Sequence, residues 1–291
     1  MSATRELFPD MTAYEQIEAA AALLRSRWPH PVELLIVVES GGPTTTVFPG
    51  GFRQGEVVLI DELLPGGPEG WGRDIPSDGE LPVRLRSGEI AGRGVMIVNS
   101  APGFSGSLSS LGTFLVRLAR VLGAETMIIA AAVRGLEPKW LAGEVVLVRD
   151  HINLFGTNPL IGPNDERFGP RFPDMTIAYD EGLRRLAMDV AGTAEFTLRE
   201  GVRAVTAGGI PETPAERQMW RMAGADFLAE GFAPYTIVAG HCGMRVLGLG
   251  VVTAAPVIVG SPSVSPSEAE YASRAGFERL GEVLEAVVHQ L

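Results

Sequence analysis

The sequence predicts an α/β fold built on a largely parallel or mixed sheet, and three observations carry that prediction. Short runs of Val, Ile and Leu alternate with longer stretches whose apolar residues recur at helical spacing. The first such run is apolar at consecutive positions, as a strand covered on both faces requires. Gly and Pro, 36 and 21 among 291 residues, fall between the runs rather than in one tract, so they mark turns and not a disordered linker.

The first expected helix covers residues 14–28, where Ile17, Ala20, Ala21, Leu24 and Trp28 share one face and Asp10 and Thr12 are available as caps. A buried strand follows at 32–38. It runs into Glu39-Ser40-Gly41-Gly42-Pro43-Thr44-Thr45-Thr46, a small-residue loop at the strand end where open α/β sheets bind ligands. Further strands are expected at 57–59, 95–98, 127–131, 145–148, 202–206 and 246–253, and helices at 108–122, 179–191 and 215–223. Two helix starts are signed by the same chemistry. Thr213-Pro214-Ala215-Glu216 and Ser265-Pro266-Ser267-Glu268 each supply a hydroxyl cap, a proline at the first helical position and a glutamate at the third. The second start opens a terminal helix continuing through Leu280 and Leu284.

Composition narrows the function. With 35 acidic against 24 basic residues, the net charge of −11 repels phosphate backbones and anionic membrane surfaces, so nucleic-acid and membrane binding are not expected. Small-molecule ligands fit better. The single cysteine, Cys242, excludes a disulfide framework and a multi-thiolate metal site. No run of about 18 uncharged apolar residues occurs, and Arg5, Glu6 and Asp10 stand where a signal peptide needs its apolar centre, so the expected location is the cytoplasm.

Residues 150–180, DHINLFGTNPLIGPNDERFGPRFPDMTIAYD, combine few apolar runs with dense charge and turn residues, the composition of a long ordered loop with a functional or interfacial role. This segment closely resembles a signature of the trimeric purine nucleoside phosphorylases. Two further segments resemble that family in the same order: Ala207-Gly208-Gly209-Ile210-Pro211-Glu212-Thr213, and Gly240-His241-Cys242-Gly243-Met244-Arg245-Val246. The resemblance spans essentially the whole chain. It implies a three-layer α/β/α phosphorylase-type sandwich around a largely parallel or mixed sheet, residues 1–291 as a single domain, and a homotrimer whose sites lie near subunit boundaries. The implied ligand is a purine nucleoside or base, with inorganic phosphate as co-substrate and no metal or organic cofactor.

Breaking a purine N-glycosidic bond passes through an oxocarbenium-like sugar, so a site must hold phosphate beneath the anomeric carbon and stabilise charge on the departing base. Phosphate calls for hydroxyls, backbone N–H groups and a guanidinium; the base calls for a carboxylate or amide on its polar edge. By resemblance, Ser40 matches the first phosphate-loop hydroxyl and Glu212 the carboxylate on the purine edge. Other matched positions have changed. Where the family carries its phosphate arginine, sugar histidine and tyrosine, this chain has Ser100, Pro102 and Phe104. The family's TNAAGG turn reads Ala130-Ala131-Ala132-Val133-Arg134-Gly135, and its base-binding asparagine falls at Ala254. Its stacking phenylalanine beside Glu212 is Pro211, and a phosphate hydroxyl has become the carboxylate of Glu230. Phe155 is the nearest counterpart of the aromatic lent to the neighbouring subunit.

Each of these residues also has a plainer role open to it. Ser40 fits a turn hydroxyl, Glu212 a first-turn acid favourable to a helix dipole, Glu230 a surface acid or a partner for ribose hydroxyls, and Arg134 either a solvated turn arginine or a guanidinium returned to the pocket. His151 and His241 read as structural, Asn164, Asp165, Glu166 and Arg167 as loop-ordering and subunit-contact residues, and Cys242 as a small buried hydrophobe. The leading expectation is reversible phosphorolysis with weakened phosphate use. The alternatives are a catalytically silent homologue that binds or assembles, and a phosphate-independent nucleoside hydrolase with Glu230 or Glu212 as general base.

Overall fold

The computed structural model describes residues 12–28, 30–38, 52–59, 63, 84–99, 108–136, 139–154, 156, 158–206, 212–230, 233–254 and 266–291. Along them run α1 (Ala13–Arg27), β1 (Leu34–Val38), β2 (Phe52–Leu59), β3 (Arg84–Ile90), β4 (Arg93–Asn99), α2 (Leu108–Leu122), β5 (Thr126–Gly135) and β6 (Val145–Asn153). Then follow α3 (Glu181–Thr193), β7 (Arg199–Thr206), α4 (Pro214–Met222), β8 (Phe227–Glu230), α5 (Ala233–His241), β9 (Arg245–Ala254) and α6 (Pro266–Gln290).

The strands form one mixed sheet in the order β2-β3-β4-β1-β5-β8-β7-β6-β9, and β9 also pairs with β5. The last five strands therefore close on themselves, leaving β1, β4, β3 and β2 as a wing. The hinge between wing and closed part is β5. Its residues Thr126 to Ala130 pair in parallel with Leu34 to Val38 of β1, whereas Arg134 and Gly135 pair antiparallel with Leu228 and Phe227 of β8. Along its other edge β9 follows in parallel from Thr126↔Arg245 to Arg134↔Ala254.

Alternation along β1 divides the core between two faces. Leu35 and Val37 join a cluster with Ile17 and Leu24 of α1, Leu115 and Leu118 of α2, and Tyr235 and Val238 of α5. Leu34, Ile36 and Val38 join the opposite cluster with Leu183 and Ala187 of α3 and Phe277, Leu280 and Leu284 of α6. The result is the expected α/β/α layering. Burial on both faces is why the sequence of β1 reads as an uninterrupted apolar run.

Other elements depart from the sequence reading for identifiable reasons. β3 (Arg84–Ile90, RLRSGEI) carries no apolar pattern and exists through its ladder to β4, closed by a turn in which Ala91 (φ 52°) and Gly92 (φ 79°) both have positive φ, matching strand twist. β2 is longer than the expected 57–59 because it pairs with β3 from Phe52 onward. α5 is buried along nearly its whole length, so it has no polar face to announce a helical period. Asp150 to Asn153, expected in the loop, continue β6 because Val202 to Val205 of β7 supply their partners.

The remainder of the 150–180 segment is a loop, ordered by specific contacts. Asn164 Nδ2 donates to the Gly169 carbonyl at 3.1 Å, and its Oδ1 lies 3.0 Å from His241 Nε2. A Cβ on Gly169 would overlap the His241 carbonyl, so only glycine lets the loop seat on the end of α5. Asp180 then closes the loop, accepting from Leu183 N–H as the cap of α3 and pairing with both Nε and Nη2 of Arg245 at 3.1 Å.

Thr213 caps α4 as expected: its hydroxyl accepts from Glu216 N–H at 3.3 Å while Glu216 accepts from Thr213 N–H at 2.7 Å. The corresponding cap at Ser265 lies outside the described residues. Thr213→Ala removes one acceptor and should lower stability by about 1 kcal/mol, read as a reduced denaturant midpoint at unchanged m-value. An unmoved midpoint would show that the cap contributes nothing.

Candidate active site

The edge of β5 passes from β1 to β8 between Ala130 and Arg134. The parallel partner thus gives way to an antiparallel one at the C-terminal end of β1, the strand end that open α/β sheets use for ligands. β4 ends at the same edge, with Asn99 opposite Val38. Ser40, Ser100 and Phe104, which follow β1 and β4 in sequence, lie outside the described residues, as do Phe155 and Pro211.

Within the described part, this divided edge brings together Val133, Arg134, Ala254 and Glu212 through strand register and one ion pair. The sequence placed Arg134 in a turn; instead it lies within β5, because β9 offers pairing partners along the whole stretch to Ala254. Nor is its side chain solvated. Arg134 Nε donates to Glu212 Oε2 at 3.2 Å and Nη2 donates to Oε1 at 2.5 Å, a two-point fork. Only 7% of the Glu212 side chain and 23% of the Arg134 side chain are exposed, so the pair is largely withdrawn from water. Val133 is buried, packed near Gly250, whereas Ala254 is exposed at the end of β9. Glu230 ends β8 opposite Thr206, and the expectation for its carboxylate lies outside the described side chains.

One participant was not anticipated. Arg217, on the first turns of α4, donates from Nη2 to the Gly135 carbonyl at 2.6 Å. Burial lowers its pKa, the Glu212 carboxylate acts against that shift, and the Arg134 charge acts with it. Its signal was available: the cap at Thr213 sets Arg217 one turn along the helix, over the end of β5. Two guanidinium groups thus flank one carboxylate at this edge.

The two histidines of the matched segments occupy structural settings. His241 is buried, with the Asn164 contact described above, and burial lowers its pKa. His151 pairs in register with buried Arg203 and meets Tyr179 edge-on at 5.8 Å between ring centres. Burial, assisted by the Arg203 charge and opposed by Asp150, pushes its pKa down to about 4. Cys242 is buried and its thiol is pushed up to about 11, chiefly by burial, which makes it inert at neutral pH. Asp165 and Arg167 order the loop through a two-point pair, with the guanidinium stacked 4.0 Å from the Tyr14 ring centre. Among the described residues no three His, Cys, Asp or Glu side chains gather as a metal cage.

Comparison with known proteins bears on what such an edge does. The family model of the phosphorylase superfamily matches residues 74–289. The chain is 36% identical over 249 residues to the purine nucleoside phosphorylase of Rattus norvegicus, covering 82% of each chain. Among solved structures, it superposes with a TM-score of 0.81 on Schistosoma mansoni purine nucleoside phosphorylase in complex with adenosine, at 25% identity over 97% of this chain and 99% of that one. A structure of the Schistosoma mansoni protein in complex with inosine gives a TM-score of 0.81 at 26% identity, covering 97% and 98%.

The environment of His151 sets a pH dependence. Folded, it stays neutral down to about pH 4; unfolded, it takes up a proton near pH 6.5, so between those values the unfolded chain binds more protons. Stability should therefore fall as pH drops from about 6.5 to about 4, with no further loss from this group below that range. Denaturant titrations at pH 7 and pH 4.5 check this: His151→Phe should show a smaller drop between the two, and an equal drop would rule it out.

Proposed function

The chain belongs to the phosphorylase superfamily, within its purine nucleoside phosphorylases, and on that premise we propose that it binds a purine nucleoside and cleaves it reversibly to free base and pentose 1-phosphate. Inorganic phosphate is the co-substrate, and no metal or organic cofactor takes part. The observation that carries this reading is Glu212, a carboxylate kept from water at the divided edge of the sheet, where a base can present its N–H groups. Arg134 adds to its fitness. When the glycosidic bond breaks, negative charge gathers on the base, and an isolated carboxylate would oppose it; paired with a guanidinium, Glu212 presents a neutral group instead.

Phosphate use is weak in this reading. The segment that supplies a phosphate guanidinium elsewhere in the family reads Asn99-Ser100-Ala101-Pro102-Gly103-Phe104 here. In this reading Arg134 serves Glu212, which takes its Nε and Nη2 donors, and is not assigned to phosphate. The same commitment argues against Glu212 as a general base toward water.

The assembly we propose is a homotrimer joined through the 154–180 loop, acting in the cytoplasm in purine salvage. Leu154, Ile161, Phe172 and Ile177 on that loop are all strongly exposed, Phe172 by 84%, an apolar surface of the kind that partners cover. Among the described residues no helix is long and apolar enough to cross a membrane.

Two measurements test this. Base release from inosine should require phosphate and run at least about a hundredfold slower than in a family member retaining the phosphate arginine, since a lost two-point guanidinium contact is worth several kcal/mol. Release independent of phosphate would favour a hydrolase, and nucleoside binding with no release a silent homologue. Light scattering should give about three times the 30.9 kDa chain mass; a monomer at micromolar concentration would overturn the assembly.

A further inference from the structure

The Arg134–Glu212 fork has a consequence for which bases the site accepts, resting on the reading of Glu212 as the base-edge carboxylate. A carboxylate holds two ligand N–H groups at once by offering one lone pair from each oxygen, side by side, to two parallel donors. Arg134 already fills that arrangement, with Nε on Oε2 and Nη2 on Oε1. The edge of a 2-amino-6-oxopurine is chemically a cyclic guanidine: its ring N–H and its amino N–H point the same way, as two N–H bonds of an arginine fork do. Arginine and that base edge are rivals for one slot.

The rivalry is unequal. Arg134 is part of β5, held between β9 and β8, and Glu212 directly precedes the capped start of α4, so both partners are anchored by the fold. With both side chains mostly withdrawn from water, opening the fork strands two opposite charges in a poor solvent for either. Each Glu212 oxygen keeps an outer lone pair, enough for a single N–H donor. We propose that Arg134 is a specificity-determining residue that occupies the two-donor slot of Glu212, so the site gains nothing from a base's 2-amino group and selects bases presenting one N–H.

Inosine and guanosine differ only in that amino group, so their binding measured by calorimetry without phosphate reads the slot directly. The wild-type protein should bind inosine at least as tightly as guanosine. Arg134→Ala should shift the affinity ratio toward guanosine by about tenfold or more, the worth of one additional hydrogen bond to a charged acceptor. Arg134→Lys keeps the charge beside Glu212 but breaks the fork; it should shift the ratio the same way, and it serves if the alanine variant fails to fold. A wild-type preference of about tenfold for guanosine, or an unchanged ratio in a folded variant, overturns the proposal while leaving the site reading intact. Failure of both nucleosides to bind any of these proteins overturns the base-site reading, and this inference with it.

Discussion

A strand has two hydrogen-bonding edges, and β5 serves three partners with them. β9 takes one edge throughout; β1 takes the other as far as Ala130, and β8 takes it from Arg134. From this sharing follow the closed set of five strands, the wing on β1, and the divided edge where one neighbour gives way to the next. Closure also demands room inside. Gly248 and Gly250 of β9 lie against Val148, Val133 and Val146, and a Cβ at either would come within 2.8 Å of a valine carbon. The ring of strands closes at this size because β9 is narrow where it meets its neighbours.

The long loop before α3 is stabilised on different terms. Its large apolar side chains mostly face outward, and its order comes from polar and cation–π contacts: Asn164 with His241, Arg167 with Asp165 and Tyr14, Arg117 4.5 Å over the Phe168 ring, and Asp180 with Arg245. Arg167 holds the Asp165 carboxyl down at about 2, so this pair keeps its charge through any mildly acidic condition. A loop fixed by such contacts can be rigid while leaving an apolar surface uncovered. Rigidity without burial suits the subunit contact proposed for this loop.

At the divided edge, electrostatics redefine what a carboxylate offers. Glu212 stands in the segment matched to the family's base-binding carboxylate, yet its lone pairs are shared with an arginine from the end of β5, and a second arginine from α4 holds the neighbouring backbone. The chain lacks a guanidinium in the segment after β4 and has one at the end of β5. These changes are not equivalent. A guanidinium pairs with an anion that its fork fits, and Arg134 pairs with Glu212.

Much was legible from the residues. The apolar run of β1, the helical spacing in α1 and α2, and the Thr213 and Glu216 cap pair are local signals, each set by side chains close together along the chain. The long signature at 150–180 pointed to the family, and the matched segment at 207–213 carried the carboxylate proposed for the base edge. Other features had no local signal. β3 depends on β4 for its hydrogen bonds, α5 is too thoroughly buried to show a period, and Asp150 to Asn153 are a strand only because β7 lies alongside. The partner of Arg134 belongs to this second group. Seventy-eight residues separate it from Glu212, and no spacing rule links them. That these two side chains exist, and what charges they carry, is written in the chain; that they meet depends on the fold, because the shared edges of β5 bring the end of that strand beside the start of α4, where two opposite charges withdrawn from water are stable only together.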